Sequence, residues 1–168
     1  MDLWIFDIDG VLAELQERLP ELKKGNHRKF YMMIPQDTVI DNGAHLLKMV
    51  KENAHVVCAT GRPEWTKEMT EEWMFKHLAM QPPKVYYREN GDYRPSPIIK
   101  IRQVAQILKD CGHFRHIYFV DDDPRNVKAV EEAFPSITGI IFTTWRLDEG
   151  RRRSGHDEGV GDNSISII

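Results

Sequence analysis

The sequence predicts an α/β fold, a doubly wound, Rossmann-like parallel sheet with helices on both faces. Three observations predict it. Short apolar runs of strand length alternate with segments whose apolar residues recur every three or four positions. The runs at 3–6, 54–59 and 117–120 are almost wholly apolar, as strands covered on both faces are. Each run then stops abruptly, in Asp7-Ile8-Asp9-Gly10, Thr60-Gly61-Arg62-Pro63 and Asp121-Asp122-Asp123-Pro124. Right-handed crossovers between parallel strands gather those three ends at one edge of the sheet.

The elements follow in order. Leu3-Trp4-Ile5-Phe6 is long enough for a buried strand. Residues 13–36 carry Glu14, Glu17, Arg18, Lys23, Lys24, Arg28 and Lys29, then Phe30-Tyr31-Met32-Met33-Ile34. They read as a mobile excursion whose bases form a solvated face, from which Arg18 or Arg28 could swing toward a substrate. Ile40, Gly43, Leu46, Leu47 and Val50 give helical spacing over roughly 40–53. After the strand at 54–59, Pro63 suits the first turn of a helix. Trp65, Met69 and Trp73 recur along one face of it, as core residues or, alternatively, with a tryptophan free to stack a base.

Pro82-Pro83 closes that helix, 84–88 is a short strand, and Glu89 to Pro95 is turn-rich. Ser96 as N-cap and Pro97 at the first helical position open a helix with Ile98, Ile101, Ala105 and Leu108 as its buried stripe. Lys100 falls in its first turn, where the partly positive helix end disfavours a cation, so the lysine is expected to serve a purpose there. After the strand at 117–120, Asp123-Pro124 caps and starts a helix carrying Val127, Val130 and Phe134. Gly139 to Phe142 makes the last strand.

At 168 residues, with 41% hydrophobic and 29% charged residues, one domain with a proper core is expected. A formal net charge of −3 provides no overall cationic surface, so any contact with nucleic acid must be local. Cys58 and Cys111 make neither a disulfide framework nor a zinc spacing. The start Met1-Asp2-Leu3 lacks a basic leader, and no apolar stretch approaches the ~20 residues of a membrane span. A cytoplasmic location without a membrane partner is expected. From Asp148 onward the composition turns to Gly, Arg, Ser and acid. The domain is therefore expected to occupy 1–147, with 148–168 a disordered or loosely docked tail. Oligomeric state is left open.

The strand ends carry the chemistry. Asp7 and Asp9, Thr60, and Asp121 with Asp122 converge on one crevice, and Lys100 opens the helix before the last of these. Crowded carboxylates need a cation or a shared proton. Several carboxylates, a hydroxyl and an ammonium around one point make a site for Mg²⁺ and a phosphate, with hard oxygens for the cation and donors for the anion.

D-I-D-G-V-L, A-T-G-R, the isolated Lys100 and V-D-D-D-P-R-N, in this order, resemble the four motifs of the haloacid dehalogenase (HAD) superfamily of phosphatases across residues 1–143. More narrowly, the stretch from Ala59 to Lys100 is similar to the 3′-phosphatase domain of phage-type polynucleotide kinase/phosphatases. The similar elements are T-G-R with a Trp-bearing helix, then R-E-N-G-D-Y-R-P-S-P-I-I-K. Ser96 departs from that narrower pattern, where an acidic residue is usual.

The resemblance implies a HAD-like sheet with minimal or no cap. Asp7 would be the nucleophile and Asp9 the general acid and base. Mg²⁺ would be held by Asp7, the Asp9 backbone carbonyl and Asp121, with Asp122 directly or through water. Thr60 and the Gly61 N–H would bond phosphate oxygens, and Lys100 would offset their charge. Arg62 and Arg94 would contact a neighbouring phosphate or sugar. Five bases against two acids between 84 and 102 favour a phosphorylated nucleotide or nucleic-acid end as substrate. A polynucleotide 3′ end ranks first and a mononucleotide or sugar phosphate second. The readings of another class are a phospho-accepting receiver domain and a catalytically silent binding module.

Overall fold

The computed structural model describes residues 1–78 and 81–144; the expected boundary at 147 and the tail at 148–168 lie outside the described residues. In chain order the elements are β1 (Leu3–Phe6), β2 (Ala13–Glu14), α1 (Leu19–Lys23), α2 (His27–Met32), β3 (Thr38–Val39), α3 (Asp41–Lys51) and β4 (His55–Pro63). Then come α4 (Lys67–Leu78), β5 (Lys84–Arg88), α5 (Ser96–Cys111), β6 (Ile117–Asp121), α6 (Pro124–Ala133) and β7 (Ile137–Ile141).

Side chains alternate between the two faces of a strand, and both faces here are apolar. Phe6, Val56, Cys58 and Val120 form one buried cluster with Leu47 of α3 and Trp73, Met74 and Leu78 of α4. Leu3, Ile5, Val57, Ala59 and Phe119 form the other with Val104 and Ile107 of α5 and Val127 and Val130 of α6. The expected doubly wound sheet is thus found, with α3 and α4 packed on one face and α5 and α6 on the other.

Five strands pair in parallel in the order β5-β4-β1-β6-β7. Numbered along the chain within that sheet, the order is 3-2-1-4-5, the Rossmann order. A flavodoxin-like receiver domain has 2-1-3-4-5, so the receiver reading fails on topology. The winding reverses at β1, and ligands of such sheets bind outside the carboxyl end of the strand at that switch point. Asp7 stands there.

Three local expectations are corrected. Residues 13–36 are not a solvated excursion: β2 pairs with β3, and α1 and α2 fold between them. Arg18 in that stretch is completely buried. Helix α5 starts at Ser96 with Pro95 as its N-cap and no side-chain cap bond. Lys100 is therefore a full turn in. Its buried face is Ile99, Lys100, Gln103, Val104 and Ile107, while Ile98 is exposed. Apolar spacing alone misses this register because two polar side chains turn inward to cap strand ends. Lys100 Nζ donates to the Ala59 carbonyl at 2.6 Å, and Gln103 Nε2 to the carbonyls of Thr60 and Tyr86 at 2.8 and 3.0 Å. Finally, Trp65 lies on a 3₁₀ turn (Glu64–Thr66) ahead of α4 and is exposed, whereas Trp73 is buried. The two tryptophans do not share a face. Among the described residues no helix is long and apolar enough to cross a membrane.

Candidate active site

Asp7 follows β1 directly, and its N–H still bonds the Val120 carbonyl at 2.8 Å, so the residue keeps strand alignment with β6. Its carboxylate Oδ1 accepts the Ile8 N–H at 2.7 Å. Lys100 Nζ lies 2.8 Å from Asp7 Oδ1 and 3.2 Å from Asp121 Oδ2, and all three side chains are buried. Asp121 is fixed from behind, with Asn126 Nδ2 donating to both its oxygens at 3.0 and 3.1 Å and the Asp123 N–H donating at 2.9 Å. Asp123 is the expected cap of α6, accepting the Arg125 N–H at 2.9 Å.

Gly10 lets Asp122 close over this group. The glycine sits at φ +83°, and a Cβ there would run into the Asp122 carboxylate. Oxygens of Asp7, Asp121 and Asp122 all lie within 4.8 Å of one another. Burial, assisted by Asp121, raises the Asp7 carboxyl well above its ordinary range although Lys100 opposes it. Burial and Asp121 push Asp122 up to about 6. Burial would lower Lys100, but Asp7 and Asp121 outweigh it and hold the ammonium more strongly protonated. Three crowded carboxylates against one ammonium leave surplus negative charge. Hard oxygens at this spacing fit a small divalent cation such as Mg²⁺.

Asp9 belongs to a second group. Arg62 Nη2 lies 2.6 Å from Asp9 Oδ1, Arg62 Nε is 3.2 Å from both Asp9 oxygens, and Arg18 also donates to Oδ1. Both guanidiniums are wholly buried. Asp37 ties them together, accepting Arg18 Nε at 2.8 Å and Arg62 Nη2 at 2.9 Å. Its backbone carbonyl in turn accepts the Trp73 indole N–H at 2.7 Å. Desolvation would raise the Asp9 carboxyl, but Arg62 and Arg18 together bring it below its ordinary value.

Of the residues singled out from sequence, Asp7, Asp9, Gly61, Lys100 and Asp122 line one cavity of about 440 Å³. Thr60 and Asp121 are fully buried next to these lining residues, with Thr60 Oγ1 accepting the Arg62 N–H at 3.2 Å and Asp121 grouped with Asp7 and Asp122. The register of β4 against β5 shifts between Ala59 and Pro63, an irregularity within which Gly61 reaches the cavity. Arg62 points at Asp9 and Asp37, away from solvent. Arg94 is not brought to the cavity; it pairs with Asp92 on the turn after β5.

Sequence reasoning missed Asp37, and it named Arg18 only as a base that could swing from a solvated face toward a substrate, whereas Arg18 is buried against Asp9 and Asp37. Nothing in the pattern separates Arg18 from the other bases of 13–36, because an ion-pair partner far along the chain leaves no periodicity. Arg88 was also passed over, although it ends β5 at the same sheet edge. The strand-end rule that selected Asp7 would have found it.

A parallel sheet that brings two acids from β1 and two from β6 to one crevice, with a buried lysine between them, is the frame of a HAD-superfamily phosphatase. A family model for the polynucleotide kinase PNKP phosphatase domain matches residues 1–133, and the chain belongs to that family. That membership makes the chain a phosphatase domain of the HAD type. A sequence comparison with curated proteins finds no match. Among solved structures, the fold is similar to a chain of the Pnkp1/Rnl/Hen1 complex, with a TM-score of 0.65 and 22% identity, covering 84% of this chain and 45% of that one. It is also similar to D,D-heptose 1.7-bisphosphate phosphatase from B. bronchiseptica, solved with magnesium and phosphate (TM-score 0.60, 15% identity, 83% and 79% covered). A HAD-superfamily hydrolase of subfamily IA from Geobacter sulfurreducens gives a TM-score of 0.59 at 14% identity, over 83% and 85% of the chains. The chain thus spans less than half the length of the chain it matches in that complex.

Proposed function

We propose that the chain is a Mg²⁺-dependent phosphatase that works through an aspartyl-phosphate on Asp7 and acts on a polynucleotide 3′-phosphate end. The supporting observation is Asp7 itself. It ends the switch-point strand, opens onto the same cavity as Asp9, and lies 2.8 Å from a buried ammonium.

Asp7 would attack phosphorus, forming a carboxylate O–P bond as the ester P–O bond breaks. Asp9, as the carboxylic acid, would give its proton to the leaving oxygen, then as the carboxylate take a proton from the water that cleaves the aspartyl-phosphate. Arg18 and Arg62 keep Asp9 ionised in the substrate-free protein. An incoming phosphate dianion adds like charge beside Asp9 and raises its proton affinity, so the acid forms where it is used. Lys100 would neutralise Asp7 and the phosphoryl oxygens, and Thr60 and the Gly61 N–H would orient them. Asp7, Asp121, Asp122 and the Asp9 backbone carbonyl would hold Mg²⁺. When bound, the ion supplies positive charge against the phosphoryl oxygens.

The likeness to a chain of an RNA repair complex supports a nucleic-acid end as substrate. Phosphate release from a 3′-phosphorylated oligonucleotide, its 5′-phosphorylated isomer, 3′- and 5′-mononucleotides and a sugar phosphate, with Mg²⁺ and with EDTA, tests this. The 3′-phosphorylated oligonucleotide should be preferred and EDTA should stop its turnover. A preference for the sugar phosphate, or indifference to EDTA, would contradict the proposal.

A further inference from the structure

Beside the phosphate cavity runs a second groove of about 460 Å³, whose lining includes His27, Arg28, Tyr31, Trp65, Arg88 and Tyr93. Tyr31 and Arg88 line both, so the two are continuous. Trp65 is 40% exposed and Tyr93 92% exposed. The Tyr31 ring meets the indole edge-on at 5.9 Å between centroids, and the Trp65 backbone N–H donates to Asn90 Oδ1 at 3.1 Å, tethering the turn that carries the ring. The Arg28 guanidinium stands 5.6 Å from its centroid. A half-bare indole braced by a neighbouring ring and a guanidinium offers a surface on which a flat π-system stacks.

Arg88 supplies the second observation. Its Nε is buried without a hydrogen-bond partner, and its Nη2 lies 3.9 Å from where a Cβ on Gly61 would be, at the phosphate loop. No ion pair to Arg88 is found among the described residues. A half-buried guanidinium whose buried Nε has no partner is suited to taking an anion. The acids on the groove's rim make their ion pairs elsewhere, Asp92 with Arg94 and Arg102 and Glu89 with Arg102, and Asp92 reaches Arg88 only through its field.

We infer that this groove is a nucleobase-stacking subsite, in which Trp65 takes the unpaired base of the terminal nucleotide while Arg88, which lines both groove and cavity, binds an oxygen of that nucleotide's scissile phosphate. The inference rests on the phosphatase reading above and adds to it what the enzyme recognises besides phosphate. A sugar phosphate has no π face to fill the groove. A nucleotide end has both a ring and an anion, at the two places where the protein presents an indole and an unpartnered guanidinium. Stacking on one aromatic is tolerant of which base it is, so little base preference follows.

The test compares two single-stranded 3′-phosphorylated oligonucleotides, one with an ordinary terminal nucleotide and one with an abasic residue there, using wild type, Trp65→Leu and Trp65→Phe. For wild type the abasic substrate should show a KM roughly tenfold higher. That ratio should collapse to about one in Trp65→Leu and largely return in Trp65→Phe. Equal KM values for the two substrates with wild type would overturn the subsite and leave the phosphatase standing. A wild-type protein that hydrolyses neither would overturn both. Binding gives an independent readout: the base-bearing oligonucleotide should quench tryptophan fluorescence in wild type and not in Trp65→Phe. Equal quenching in the two would overturn the assignment to Trp65.

Discussion

The Arg62 guanidinium bridges two carboxylates that come from opposite sides of the insertion between β1 and β4. Its Nη2 lies 2.6 Å from Asp9 Oδ1 and 2.9 Å from Asp37 Oδ2. Arg18 repeats the bridge, so the proposed acid/base Asp9 is clamped by two buried cations held in turn by Asp37.

The first prediction concerns that clamp. Asp37→Asn leaves two buried guanidiniums sharing one carboxylate, and breaking buried pairs of this kind costs about 3–5 kcal/mol. Thermal melts should show a clear fall in Tm. Arg62→Lys places one point charge where a planar fork reached two acids, and it should lose most turnover. A melt of Asp37→Asn within a degree or so of wild type would mean that the network adds little to stability.

Asp122 gives a pH prediction. Its folded-state pKa of about 6 exceeds the ordinary 3.8, so the folded protein holds this proton more tightly than the unfolded chain does. The associated stabilisation is complete below the unfolded value and is lost as pH rises through about 6. Mg²⁺ prefers the ionised form. Melts with and without Mg²⁺ should therefore differ more at about pH 7.5 than at about pH 5. Asp122→Asn should stabilise the metal-free protein at the higher pH and flatten the difference.

Lys100 faces Asp7 and Asp121 at once. Lys100→Met removes the ammonium and leaves both carboxylates buried without it, so the metal-free protein should melt lower, by about 3 kcal/mol or more of stability. Mg²⁺ should restore part of that stability while turnover stays lost. Stability rescued together with full activity would deny Lys100 any part in phosphoryl transfer.

Most of the fold was legible because its signals are local. Unbroken apolar runs such as Leu3–Phe6 and Ile117–Val120 announce strands buried on both faces, and Asp123-Pro124 announces a helix start. The acids at the ends of β1 and β6 and Thr60 at the bend in β4 were legible for the same reason, since chain reversal in a parallel sheet collects strand ends. The rest depended on contacts with no local signature. Arg18 reads as one solvated base among many until Asp9 and Asp37 are seen to surround it. The α5 register was misread because Lys100 and Gln103, which apolar spacing assigns to solvent, turn in to cap Ala59, Thr60 and Tyr86. Arg62 was expected to reach for substrate, and its burial behind Asp9 follows from a pairing that only the folded insertion creates.

Phosphate release by Asp7→Asn from a 3′-phosphorylated oligonucleotide is the decisive measurement. With the fold verified by its melt, turnover should fall by more than about a thousandfold, because the amide leaves no carboxylate to accept the phosphoryl group. Release at near wild-type rate would contradict covalent catalysis at Asp7.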